Sequence, residues 1–147
     1  MSLKAWLDKG ALRGHKPSRK EIAGLLALAD RSLADARVAA VSAEGRFQFA
    51  YGAALAMASA ALHASGYRTN SNVPGHHANS VQSLNHTIGA DAALVRRFET
   101  FRRKRNQISY DAPSAVSGQE AADLLALAEQ LRRDVEVWIR AEHPALI

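Results

Sequence analysis

Cysteine is absent from the 147 residues, which excludes disulfide frameworks, thiolate metal sites and cysteine nucleophiles. Aromatic residues make up only 6%, against a β-sandwich, whose strands draw on them. Long apolar runs are also missing. The most apolar stretch, Phe47 to Leu62, is alanine-dominated and shorter than the ~20 residues a bilayer crossing needs. The opening MSLKAWLDKG has no long apolar segment behind its charges, so no signal peptide is expected and a cytoplasmic location is. Sustained two-residue alternation, internal repeats, a Gly-x-Ser-x-Gly elbow and a glycine-rich phosphate loop are all lacking.

What is present is an ordinary globular composition, 48% hydrophobic and 22% charged, sized for one domain over residues 1–147 with 1–17 as an amino-terminal extension. Thirty alanines favour closely packed helices. The net charge of +5 is a mild pointer to polyanionic partners. It is unevenly spread: residues 1–20 carry six bases and one acid, 91–111 six bases and three acids, and 112–147 three bases and six acids.

Helix signals recur along the chain. Ser18-Arg19-Lys20-Glu21 reads as a capping box opening a helix near Arg19, with Ile22, Leu26, Ala29, Leu33, Ala36 and Ala40 on its apolar face. Gly45 reads as a break before a second helix, lined by Phe47, Tyr51, Ala54, Ala58 and Ala61 and ended by Gly66 in a left-handed conformation. GYRTNSNVPG is the longest loop signal. A short helix from His76 to Ile88, closed by Gly89, is predicted next, then a basic helix capped by Asp91 and running to Ile108. A second capping box, Ser117-Gly118-Gln119-Glu120, opens the last helix, with Leu124, Ala128, Leu131, Val135 and Trp138 buried and Pro144 at its end. The expected fold is all-α, an up-and-down bundle of four main helices plus short ones.

The basic helix contains VRRFETFRRKRNQISYD. At about 100° per residue, Leu94, Phe98, Phe101 and Ile108 form a narrow apolar stripe with Arg105 in its middle, while Arg96 and Arg103 point away. A guanidinium facing a core or a subunit seam is costly unless paired. Arg105, with Arg102, Asn106 and Ser109 near it, offers a fork, an amide and a hydroxyl suited to phosphate or an oriented carboxylate. The bland alternative is an internal pair between Arg105 and an acid such as Asp111 or one from the last helix.

The stretch RRKRNQISYD, from Arg102 to Asp111, resembles the signature of HEPN domains (higher eukaryotes and prokaryotes nucleotide-binding): an arginine, a polar residue and, a few residues on, a histidine near the end of a long helix. The order of elements over about residues 20–142 resembles the family too. The resemblance implies a HEPN-like bundle that often dimerises, bringing two signature segments into one cleft. It implies binding of a nucleotide or RNA, metal-independent ribonuclease activity in many relatives, and pairing with a small nucleotidyltransferase or in toxin–antitoxin pairs in others. Arg105 matches the family arginine and Asn106 its polar neighbour, but Tyr110 stands where the catalytic histidine belongs. Histidine exchanges protons near neutral pH, whereas an unperturbed tyrosine titrates near ~10, so binding through Arg102, Arg105, Asn106, Ser109 and Tyr110 is expected ahead of catalysis by Arg105 and Tyr110.

His76 and His77 open the predicted short helix, where free amides attract anions, so they are candidates for a second phosphate contact. In the ribonuclease alternative they would be supplied across a dimer. Adjacent helical histidines diverge by about 100° and do not readily share one ion; a metal there would have to recruit His63, His86 or a carboxylate. No metal and no other cofactor is expected. Helix capping or loop packing is the plain alternative for this pair. Trp6 and Trp138 read as anchors of the terminal segments. The expected partners are a second copy of the chain, a nucleotide or RNA, and a nucleotidyltransferase, with no membrane; a pure interaction module, its basic helix docked on an acidic protein, is the third alternative.

Overall fold

The computed structural model describes residues 2–110 and 115–147, with backbone alone for Ser109 and Tyr110. Helix accounts for 71% of the residues and strand for 4%, so the chain is an all-α bundle. Four long helices carry it: α2 (Arg19–Ala36), α3 (Ala43–Ala64), α5 (Ala92–Tyr110) and α6 (Gly118–Glu142). Two short ones, α1 (Leu3–Asp8) and α4 (His76–Ser83), complete the set among the described residues. No helix is long and apolar enough to cross a membrane among the described residues.

The centre is α3, which packs along both α2 and α6. The expected face is buried, but so are Ala50, Ala53, Ala56, Met57, Ala60 and Ala64; a helix apolar nearly all round belongs in the middle of a bundle. Alanine is what permits this, because short side chains let helices approach on two sides. Ile22, Leu26 and Leu33 of α2 and Leu124, Leu131, Val135 and Ile139 of α6 supply the larger side chains that pack with it.

Helix ends follow local chemistry. The Ser117 hydroxyl accepts the Glu120 N–H and the Glu120 carboxylate accepts the Ser117 N–H, a complete capping box. Asp91 Oδ1 accepts the Leu94 N–H at 2.8 Å at the start of α5. Ser42 caps α3, so Gly45 lies inside the first turn instead of breaking the chain; a Cβ there would sit 2.8 Å from Val41 Cγ1. Gly66 is left-handed as expected, with φ +93°. Ala40 lies beyond the end of α2 and is exposed, Ile139 takes the buried place expected of the half-buried Trp138, and α4 ends at Ser83.

A small antiparallel ribbon departs from the purely helical expectation. β1 (Leu12–Gly14) pairs with β2 (Tyr67–Thr69) in the register Leu12↔Thr69, Arg13↔Arg68 and Gly14↔Tyr67. Three residues per strand are too few to show alternation in the sequence. Backbone bonds from His15 N–H to the Gly66 carbonyl and from Asn70 N–H to the Ala11 carbonyl extend it at both ends, fastening the amino-terminal segment to the loop after α3.

Candidate functional site

The last turns of α5 and the first turn of α4 meet over α3. On α5, Phe98 and Ile108 are buried and Leu94 and Phe101 pack against the core. Phe98 meets the Tyr51 ring edge-on, at 6.1 Å between centroids, and Phe101 meets Phe47 at 5.9 Å. This anchoring fixes the rotation of the helix. It leaves Arg103 74% exposed and turns Arg105 inward, its guanidinium carbon 5.5 Å from the centroid of the Tyr51 ring, within cation–π range. Burial raises the Tyr51 phenol above its ordinary value although Arg105 and Arg102 pull it down, so the ring is a neutral platform.

Arg102 is engaged within the helix. Its Nε and an Nη donate to the two oxygens of Glu99 at 2.9 and 2.6 Å, and both side chains are largely shielded, 18% and 13% exposed. Arg103 reaches the same carboxylate at 3.5 Å, and Lys104 reaches Glu120 on α6 at 3.4 Å. The basic run is thus partly neutralised where it meets the bundle.

The α4 side supplies a helix start with no side-chain cap, Gly75 at φ +79°, so amides of the first turn point outward without intrahelical partners. His76 and His77 stand edge to face, 4.3 Å between centroids. Desolvation lowers the His77 pKa, and the charges of His76, Arg105 and Arg102 lower it further; its imidazole is neutral at neutral pH.

These groups enclose a cleft of about 190 Å³ lined by Gly75, His76, His77, Arg102 and Asn106. Four of the residues expected at a binding site, drawn from two separate segments, therefore share one wall-to-wall space within a single chain. Arg105 lies behind it on Tyr51. The side chains of Ser109 and Tyr110, and all of Asp111, lie outside the described residues, as does the internal pair proposed between Arg105 and Asp111. A second hollow of about 270 Å³, lined by His63, Ser59 and Arg68 among others, has His76 and His77 as a shared boundary. A larger one of about 590 Å³ runs past Trp6, His86, Arg96 and Glu99 and shares no lining residue with the cleft. Trp6 contacts His86 there, ring edge to face at 5.4 Å, in keeping with an anchor.

Sequence reasoning missed Glu99 and Tyr51 as parts of this site. Glu99 stands three residues before Arg102, the spacing of a same-face pair, and was the available signal. Tyr51 carried none, since its place on an apolar face reads as core. Comparison with known protein families, curated proteins and solved structures gives no match.

Proposed function

We propose that the protein is a HEPN-like bundle that binds the phosphate of a nucleotide or RNA in the cleft between α4 and α5, working in the cytoplasm as a homodimer. The observation that carries this is the convergence of His76, His77, Arg102 and Asn106 on one small polar space at an uncapped helix start. Outward amides, imidazole N–H groups and an amide at fixed positions recognise phosphate oxygens, and the cations of α5 add attraction. The space lies below the ~300–1,000 Å³ of a typical small-molecule pocket. It therefore suits a phosphodiester or phosphate group, with base and sugar lying outward, toward the hollow beyond His76 and His77. Ser109 and Tyr110, next along the signature, would orient the same group or close a subunit seam.

Titration of a nucleotide and of a short single-stranded RNA at low salt tests this. Asn106→Ala and His77→Ala, which line the cleft, should each weaken binding about tenfold or more, since a hydrogen bond to a charged group contributes ~1.5–3 kcal/mol, and affinity should fall with salt. Unchanged affinity in folded Asn106→Ala and His77→Ala variants refutes the assignment.

One observation favours a ribonuclease as the second possibility. His77, neutral at neutral pH beside Arg102, is a proton acceptor within the same chain, so the missing signature histidine needs no replacement from a partner subunit. RNA cleavage in EDTA that His77→Ala abolishes supports it; absence of cleavage refutes it. Arg103, exposed on the side of α5 turned away from the cleft, is where an acidic partner such as a nucleotidyltransferase would dock in an antitoxin-type pair.

A further inference from the structure

Three polar side chains from three parts of the fold meet at the other end of α3. His15 follows β1, Glu21 sits in the first turn of α2, and His63 lies in the last turn of α3. His15 Nε2 is 2.8 Å from both oxygens of the Glu21 carboxylate, and His63 Nδ1 is 2.7 Å from Oε1. The two imidazole rings lie 4.6 Å apart between centroids. The Glu21 carboxylate is thereby drawn away from the capping-box role its position suggested: Ser18 still accepts the Glu21 N–H, but the carboxylate serves the imidazoles.

We propose that His15, Glu21 and His63 form a binding site for a divalent transition-metal ion of the zinc class. Two imidazole nitrogens and one carboxylate oxygen are a donor set such ions prefer, and three protein ligands with an open fourth position are the pattern of a zinc site that keeps a water or an exchangeable ligand. The donor atoms all lie within 4.8 Å of one another. Tetrahedral bonds of ~2.0–2.2 Å place donors roughly 3.4 Å apart, so seating an ion requires the hydrogen-bonded atoms, now 2.7–2.8 Å apart, to open by about 0.6–0.7 Å, within the reach of small side-chain rotations.

The surroundings fit the chemistry. The three side chains are 18%, 29% and 24% exposed, shielded enough to hold position and open enough for an ion to enter. A bound ion would take the place of the protons shared between the two imidazoles and the Glu21 carboxylate. The backbone is fixed independently of any ion, by the β1–β2 ribbon and its His15–Gly66 extension and by the Ser18 cap. The ion would lie beside the hollow that His63 lines, where Arg68 favours an anion in the fourth position. This site is separate from the pair His76 and His77, and its existence does not depend on what the α4–α5 cleft binds.

The test titrates zinc alone into the EDTA-dialysed full chain and follows heat and imidazole nitrogen NMR signals. One ion per chain is expected, in the micromolar range or tighter, with the His15 and His63 ring signals shifting together. His63→Ala and Glu21→Gln should weaken binding at least about tenfold, while the double variant His76→Ala/His77→Ala should leave it unchanged. The absence of stoichiometric binding overturns the proposal. So does binding that His63→Ala retains, or binding that is lost with His76 and His77 while the His15 and His63 signals stay still. Because the NMR titration uses the unaltered chain, a variant that fails to fold does not blunt the test.

Discussion

Glu99 serves the fold and opposes the cleft, and replacing it pulls the two effects apart. An exposed ion pair contributes ~0.2–1 kcal/mol, and stripping one partner from a buried pair costs ~3–5 kcal/mol. The Arg102–Glu99 pair lies between these limits, with 18% and 13% of its side chains exposed, and Arg103 remains at 3.5 Å to compensate Glu99 in part. Arg102→Ala should therefore destabilise by about 2 kcal/mol, and Glu99→Gln by about 1–2 kcal/mol, since an amide oxygen still accepts from Arg102. Binding should move in opposite directions. An anion held by Arg102 feels the Glu99 charge through the guanidinium; at ~6–8 Å and an effective dielectric between ~20 and ~80, that repulsion is ~0.5–3 kcal/mol. Glu99→Gln should then tighten phosphate binding by about threefold or more, and Arg102→Ala should weaken it. Urea unfolding followed by circular dichroism reads the first effect, and nucleotide titration at low salt reads the second. If Glu99→Gln weakens binding as much as Arg102→Ala does, Glu99 positions Arg102 for the ligand instead of competing with it, and the electrostatic reasoning fails.

Acid should unfold the protein in two stages. The folded pKa values of Glu21 and His63 both lie below their ordinary ones, so the unfolded chain binds these protons more tightly. The His63 contribution is complete above ~6.5 and lost as pH falls through the folded value, and that of Glu21 is complete above ~4.3 and lost below it. Melting temperatures between about pH 8 and pH 3 should show both steps, the upper one diminished in His63→Gln but not abolished, since His77 and His86 are shifted the same way. Ala54→Leu, at a fully buried position on α3, should cost ~1–3 kcal/mol in urea unfolding by overpacking. Gly66→Ala, at φ +93°, should cost ~1–2 kcal/mol; an unchanged unfolding midpoint would show that this turn relaxes freely.

The parts of the fold legible in the sequence are those decided within a few residues. Ser117 and Glu120 satisfy each other across three positions, and Asp91 caps its own helix, so both starts could be read directly. The inward turn of Arg105 was legible because the stripe of Phe98 and Ile108 fixes the rotation of α5. What escaped depends on contacts between distant segments. The β1–β2 ribbon joins residues more than fifty positions apart through strands too short to pattern. Glu21 was readable as a cap, yet its carboxylate is taken by two histidines that only this ribbon and the end of α3 bring near. The burial of α3 on nearly every side was hidden by alanine, which is equally at home on one apolar face or on all of them.

Tyr51, Leu55, Ser59 and His63 follow one another at four-residue intervals along α3, a slowly turning line about 18 Å long at 1.5 Å per residue. Helices α2 and α6 cover the other faces of α3, so from Tyr51 onward its polar side chains lie on this line, where solvent or a neighbouring polar group satisfies them: Ser59 and His63 are half-buried and border the hollow next to α4. The walls come from element ends, the uncapped start of α4 and the last turns of α5 at one end, and the close of β1 with the start of α2 at the other. Helix ends are where backbone groups go unpaired and where charged side chains escape the core, so a spine of alanines gathering several such ends concentrates binding chemistry without giving up packing. The proposed phosphate cleft beside Arg102 and the proposed metal site at His63 thus share one architectural cause, yet they use different donors and answer to different titrations.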